Sequence, residues 1–373
     1  MARRLAVSKR TPCGTEGEDY VMQLLSCPEA QCLAGVCSDA VVRLYDERSL
    51  FFARELRGHT ARVNDVAVCG SVLATASEDA TVALWDVRTG KAQAQLAEPG
   101  GAEVLSVAVS ADGAVLVMGS GEGSNTVHAW DLRTMTLQRS LDELHTAEVT
   151  RLKFHPSQPW ALFSGSNDGV LAATDLREAD PDEAAFDFLA PGSSVDNFGF
   201  FGDAHDMVWC QCADHGFSLF QLSPPATDDD SPPSQRILHF PDLRSAMTQL
   251  LAPAGGVGGK GAAAEVKYAV GCVFDASDQT LKTMVGDYDG AMSLVSISPA
   301  GAQCHAHLTG GHRDQVRGWV VAADGQSITT CGEDAAMCSW SLADPEAASS
   351  PLPSSDSEGE GSGAQKTKRY SPF

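Results

Sequence analysis

Residues 58–88 read GHTARVNDVAVCGSVLATASEDATVALWDVR, and the pattern of this stretch decides the fold. After Gly58 and His59 come three short runs: one marked by Val63, Val66 and Val68, one over 72–77, and one over 82–85. Each is rich in β-branched or aliphatic residues and is bounded by turn formers, which predicts three strands. Asp79 lies in the turn between the second and third runs, a position where aspartate fits tight backbone geometry. Three strands of this length cannot bury their own faces, so the stretch predicts copies of itself.

Copies are present. The position of Trp85-Asp86 recurs as Tyr45-Asp46, Trp130-Asp131, Thr174-Asp175, Phe220-Gln221, Val295-Ser296 and Trp340-Ser341. The spacing stays between 40 and 46 residues except for one interval of 75, and a period of about 40–45 is that of a propeller blade. The turn acid recurs as Asp39, Asp168, Asp214, Asp289 and Asp334, and the opening histidine as His145 and His312. Seven units predict an all-β, seven-bladed propeller with blades near 20–56, 58–97, 103–141, 145–190, 194–240, 266–308 and 310–342. The seventh lacks an outer strand, so residues 3–8 are expected to complete it, because ring closure removes exposed sheet edges.

The long interval holds an insertion at 241–264. Asp242 is placed to cap a helix, with Leu243, Met247 and Leu250 at helical spacing, and a Gly/Ala-rich run to 264 is expected to be a flexible linker. The Gly-Gly-Lys260-Gly within it is not a phosphate-binding loop. Ala254 stands where the first glycine is needed, and Gly261 follows the lysine instead of Ser or Thr. Residues 223–234, SPPATDDDSPPS, are expected to be a solvated mobile loop, and residues 344–373, rich in Ser, Pro and Gly, a disordered tail.

The formal charge of −23 repels phosphate backbones, so direct nucleic-acid binding is disfavoured and protein partners are the expectation. Eleven scattered cysteines, an odd number, fit small buried hydrophobes in a reducing compartment better than a metal site. The first ten residues are basic and hold no apolar run, and no stretch approaches the ~18 apolar residues of a spanning helix. A soluble, intracellular, monomeric propeller without cofactor or metal is the resulting expectation.

Two constellations resemble hydrolase triads: His59, Asp79 and either Thr75 or Ser77, and His312, Asp334 and Thr330. The hydroxyls precede their acid by two or four residues and so share its strand face, while Trp85 and Trp340 complete the two sets. No nucleophile elbow or oxyanion loop accompanies either. The reading is structural, with no catalytic residue assigned.

These repeats resemble the WD40 family across residues 3–342. HTAEVTRLKFHPSQP with SGSNDG, DHGF at Asp214, PDLR at Pro241, and GGHRDQVR with GEDA resemble the WD repeat-containing protein 89 family more narrowly. The resemblance implies a non-enzymatic interaction scaffold, nuclear or cytoplasmic. It also implies that each His, Ser/Thr, Asp and Trp set forms an internal hydrogen-bonded chain. A second resemblance concerns Trp85-Asp86-Val87-Arg88 and Trp130-Asp131-Leu132-Arg133, with degenerate copies ending at Arg48 and Arg177. Trp-Asp-x-Arg motifs occur in substrate receptors of cullin-4 ubiquitin ligases. That similarity implies, as the alternative function, adaptor binding through Asp86, Arg88, Asp131 and Arg133.

Overall fold

The computed structural model describes residues 2–13, 19–223, 233–261, 264–322 and 324–342. The expectations for residues 344–373 and for most of 223–234 fall outside that set. Seven sheets form, six of four strands and one of five. The innermost strands are Val21–Cys27, Val63–Cys69, Val104–Val109, Val149–His155, Val195–Phe201, Tyr268–Asp275 and Val316–Val321. Each packs against the next and the last against the first, so the ring closes as a seven-bladed propeller. In the second blade the strands are Val63–Cys69, Val72–Ser77, Thr81–Asp86 and Lys91–Ala97, close to the runs visible in the sequence. Antiparallel order within a blade puts its opening segment and the turn between its second and third strands at one face of the disc. The turn between third and fourth strands lies at the other.

One irregularity recurs. In six blades the innermost strand slips register after its first residue, as between Val63 and Asp65 or Val149 and Arg151. In the sixth blade the slip falls between Val270 and Cys272, where Gly271 takes a φ of 48°. A bulge increases local twist, and polar side chains near it, most on inner strands and Gln211 on the second strand of its blade, reach neighbouring blades. Asn64 Nδ2 donates to the Val104 carbonyl at 3.0 Å, and Ser106 Oγ to that of Val149 at 2.8 Å. Thr150 Oγ1 donates to the Val195 carbonyl at 2.6 Å, and Gln211 Nε2 to that of Ala269 at 3.2 Å. The Tyr268 hydroxyl accepts the Val316 N–H at 2.9 Å. Consecutive blades from the second to the seventh are thus stitched by side-chain to backbone hydrogen bonds.

Asp65 does more than link neighbours. Its side chain is 4 % exposed, and one oxygen receives Gln23 Nε2 of the first blade at 3.1 Å and Arg151 of the fourth at 2.8 Å. The other receives the Val107 N–H of the third blade at 3.1 Å. One carboxylate therefore joins four blades across the central channel.

The closing segment differs from expectation. Residues 3–8 do not complete the seventh blade as one strand. Val7–Pro12 does so, antiparallel to Ala336–Ser341, while Arg3–Leu5 runs parallel beside Gly301–Leu308 as the fifth strand of the sixth blade. Two anchors fix this division. Leu5 is buried in a cluster with Tyr268, Trp319 and Trp340, and Arg10 reaches Gly311 O at 3.0 Å and Asp334 at 3.2 Å.

The insertion also differs. The helix spans Leu243–Leu251 with Asp242 accepting the Arg244 N–H at 2.9 Å. Its buried positions are Leu243, Met247 and Leu251, with Leu250 only partly covered. The run after it is no linker in its described part. Val257 is fully buried, and the Gly258 N–H donates to Ser293 Oγ at 3.0 Å. A Cβ on Gly258, at φ 60°, would come within 2.6 Å of Ala291, so only glycine allows this approach. Lys260 pairs with Asp287 at 2.8 Å and Asp289 at 3.2 Å.

Removing the Asp65 carboxylate strands the Arg151 guanidinium in the channel, and breaking a buried pair on one side costs about 3–5 kcal/mol. Asp65→Ala is expected to lose that much in urea unfolding. Asp65→Ala with Arg151→Met is expected to lose clearly less than the sum of the single changes. Additive losses would show that the two groups do not support one another.

Candidate functional site

The two triad-like sets form one geometry. In the second blade His59 Nδ1 lies 2.9 Å from Asp79 and Nε2 lies 2.6 Å from Thr75 Oγ1. Trp85 Nε1 donates to the same hydroxyl at 2.9 Å. In the seventh, His312 Nδ1 is 2.9 Å from Asp334 and Nε2 is 2.8 Å from Thr330 Oγ1, which receives Trp340 Nε1 at 2.8 Å. With Nδ1–H donated to the carboxylate, each threonine hydroxyl donates to Nε2 and accepts from the indole. Ser77 stands outside this chain: its Oγ donates to the Ala61 carbonyl at 3.2 Å and accepts the Asp79 N–H at 3.2 Å. Thr75 and Thr330 are fully buried. Neither hydroxyl can meet a substrate where it stands.

The electrostatics fit a holding role. Burial alone would push the Asp79 carboxyl upward, but donors from Thr81, the Thr60 N–H and His59 outweigh it and hold the group below the usual range. Asp334 behaves alike, with burial opposed by His312, the Arg313 N–H and Arg10. His145 in the fourth blade pairs with Asp168 at 3.1 Å and Ser164 at 2.8 Å. Its burial pulls the imidazole below its ordinary value despite the acid.

Other blades solve the same problem with residues that the repeat pattern did not single out. The third blade has no acid in its glycine-rich central turn. Glu98, from the segment that opens the blade, takes that place, accepting from Ser120 at 2.8 Å, Ser124 at 3.0 Å and the Ala102 N–H at 2.8 Å. His128 Nε2, from the third strand, lies 3.0 Å from it, so the acid comes from the opening segment and the imidazole from a strand. The signal was the missing turn acid itself, since a buried donor set there needs a carboxylate from elsewhere. In the sixth blade Lys260 holds the turn acids. The fourth blade is incomplete: Thr174, where tryptophan stands in the second, third and seventh, is fully buried with its hydroxyl unpaired.

The proposed rim residues lie at the opposite face. Asp86 accepts the Arg88 and Thr89 N–H groups at 2.9 and 3.2 Å, and Asp131 those of Arg133 and Thr134 at 2.7 and 3.1 Å. Both carboxylates are thus committed to their turns. The Arg133 side chain is 81 % exposed with its own Asp131 3.5 Å away, and Arg88 is exposed. Arg177 is turned back, pairing with Asp175 at 2.7 Å and lying 3.9 Å over the Trp160 ring.

The channel between the inner strands has a volume of about 880 Å³ and is lined by all seven blades. Lys153 there donates to Asn197 Oδ1 at 3.4 Å and sits 5.5 Å from the Phe198 and Trp209 rings. Burial, then the nearby Arg151, brings its pKa down to about 8. All eleven cysteines are free. Among the described residues no group of three His, Cys, Asp or Glu is placed to hold a metal, and no helix is long and apolar enough to cross a membrane.

Comparison with known proteins agrees with this geometry. Residues 51–86 and 136–172 match the family described as WD domain, G-beta repeat. The chain is 26% identical over 329 residues to the WD repeat-containing protein 89 homolog of Dictyostelium discoideum, covering 87% of this chain and 84% of that protein. It is 28% identical to WD repeat-containing protein GTS1 of Arabidopsis thaliana over 52% of this chain and 51% of that protein. A segment of 40% of the chain is 29% identical to anaphase-promoting complex subunit cdc20 of Dictyostelium discoideum, covering 30% of it. The chain is thus a seven-bladed propeller in which two segments match the WD40 repeat. A likeness over nearly the whole ring is to the WD repeat-containing protein 89 homolog.

Two outcomes follow from the buried networks. Thr75→Val leaves the His59 Nε2 and the Trp85 N–H unpaired at once and is expected to lower stability by about 2–4 kcal/mol in urea unfolding. The depressed His145, His155 and His305 mean that below about pH 6.5 the unfolded chain binds more protons than the folded one, so stability falls with acid. Below about pH 4 the depressed Asp79, Asp168 and Asp334 add a further loss as they are forced to protonate. The urea midpoint should therefore drop between pH 7.5 and 5.5 and drop again between about pH 4 and 3, and a flat profile would contradict this account.

Proposed function

We propose that the chain is a rigid, non-enzymatic platform that holds protein partners together within an intracellular complex, in the nucleus, the cytoplasm or both. The observation that carries this reading is that the two sets resembling catalytic triads are sealed and fully used inside their blades. What remains open to other molecules is the loops at two faces and a channel mouth, on a strand scaffold that holds them in place. The acidic charge of −23 disfavours nucleic acid and favours partners carrying basic surfaces. One relative is by its name a subunit of a complex, which supports the same direction. A monomeric ring serving several partners is the simplest form of this reading. Affinity purification of the tagged full chain from cells is expected to return a reproducible set of proteins at near-stoichiometric amounts. Turnover by purified protein that is abolished by Asp79→Asn or Asp334→Asn with the fold intact would replace the platform with an enzyme.

A narrower reading makes the chain a substrate receptor of a cullin-4 ubiquitin ligase. It is supported by the exposed Arg88 and Arg133 guanidinium groups at equivalent turns of adjacent blades on one face, where a fork of donors can meet carboxylates. The ligase adaptor is then expected to co-purify, and Arg88→Ala with Arg133→Ala is expected to abolish the association. Retention at the wild-type level would remove this reading and leave the platform standing.

A further inference from the structure

We infer that the cavity between the third and fourth blades is a docking pocket for an indole side chain of a partner peptide flanked by basic residues. In the second and seventh blades the tryptophan ring lies against a glycine that opens the blade. A Cβ on Gly58 would stand 2.9 Å from Trp85, and one on Gly311 2.6 Å from Trp340. In the fourth blade both members of that pair are changed. Leu144 precedes His145 where glycine stands in the others, and Thr174 replaces tryptophan.

The exchange does not refill the space. Thr174 faces Ala185 in the sheet register as Trp85 faces Ala92, and both Thr174 and Ala185 line a cavity of about 140 Å³. Its other walls include Leu141, Leu144, Pro181 and Phe188. For comparison, an apolar cavity of about 150 Å³ accepts benzene. Thr174 lines the cavity, and its hydroxyl, fully buried beneath that wall, has no hydrogen-bond partner. An orphaned buried hydroxyl is costly, and a turn of the Thr174 side chain about its Cα–Cβ bond would present it to an indole N–H entering the cavity. The apolar walls favour the rest of the ring, and Phe188, 59 % exposed, offers an aromatic edge to it.

The mouth selects the neighbours of that ring. Asp142, Glu143 and Asp182 are exposed, border the same cavity and are all acidic. Arginine or lysine beside the anchoring tryptophan meets complementary charge there, whereas an acidic segment is repelled. The guest ring would thus occupy part of the place that the chain's own indole occupies in its sister blades.

The inference takes peptide ligands from the platform reading, and its test keeps the two separable. The probe is the acetylated tripeptide amide Arg-Trp-Arg, titrated calorimetrically into the full chain, with Arg-Ala-Arg and Glu-Trp-Glu as controls. Arg-Trp-Arg is expected to bind about tenfold or more tightly than either control. Leu144→Gly with Thr174→Trp restores the blade's own indole and is expected to abolish binding while keeping or raising Tm. Asp142→Asn with Glu143→Gln and Asp182→Asn touches only exposed side chains, so it tests the mouth without threatening the fold, and is expected to weaken binding about tenfold. No binding to the wild type, equal binding of Arg-Ala-Arg, or unchanged affinity in either variant would overturn the pocket. Partners of the full chain that survive the Leu144→Gly/Thr174→Trp change would show the platform to be sound and the pocket not to be its docking site.

Discussion

A buried carboxylate that receives donors from three other blades is the constraint on which the ring depends. A propeller has no single core; each sheet packs on two others, and small angular errors would accumulate around seven contacts. Asp65 ties the first four blades to one point by accepting from Gln23, the Val107 N–H and Arg151. Desolvating such a charge is tolerable only when its oxygens are well supplied with donors, so the geometry of four blades is enforced by the penalty for leaving it unfilled. The side-chain to backbone bonds from Asn64 round to Tyr268 extend that rule as far as the seventh blade.

Within each blade the same physics is met by different chemistry. The second and seventh use histidine, threonine, aspartate and tryptophan; the third uses Glu98 and His128; the sixth uses a lysine delivered by the insertion. Conserving residue types is unnecessary so long as every buried donor and acceptor is answered. The repeats therefore read as variations on satisfaction, with a few buried groups left unanswered, among them the Trp130 indole N–H of the third blade and the Thr174 hydroxyl of the fourth.

Much of the ring was legible in the chain. The period of the Trp-Asp positions gives the blade count, and alternation within residues 58–88 locates strands to within a residue or two. His59, Thr75, Asp79 and Trp85 meet in one hydrogen-bonded chain, as do His312, Thr330, Asp334 and Trp340. What escaped were contacts set by closure and not by local pattern. The path of residues 3–12 depends on Leu5 reaching a core built from the sixth and seventh blades. The run after Leu251 has the composition of a linker, yet Val257 and Gly258 lock it onto strands that follow it in the chain. Glu98 replaces a turn acid from outside the turn, and Arg151 finds Asp65 across 86 positions of sequence. None of these leaves a periodic trace.

The strand that completes the seventh blade has a consequence in time. Val7–Pro12 leaves the ribosome long before Ala336–Ser341, its partner, exists. At about 5–20 residues per second, the wait is on the order of tens of seconds. During that interval six blades can assemble while the ends of the ring stay open and a β-prone segment goes unmatched. The molecule is therefore most vulnerable to pairing with the wrong chain just before it is finished, and a chaperone that sheltered residues 3–12 would act on synthesis without touching any surface of the completed ring.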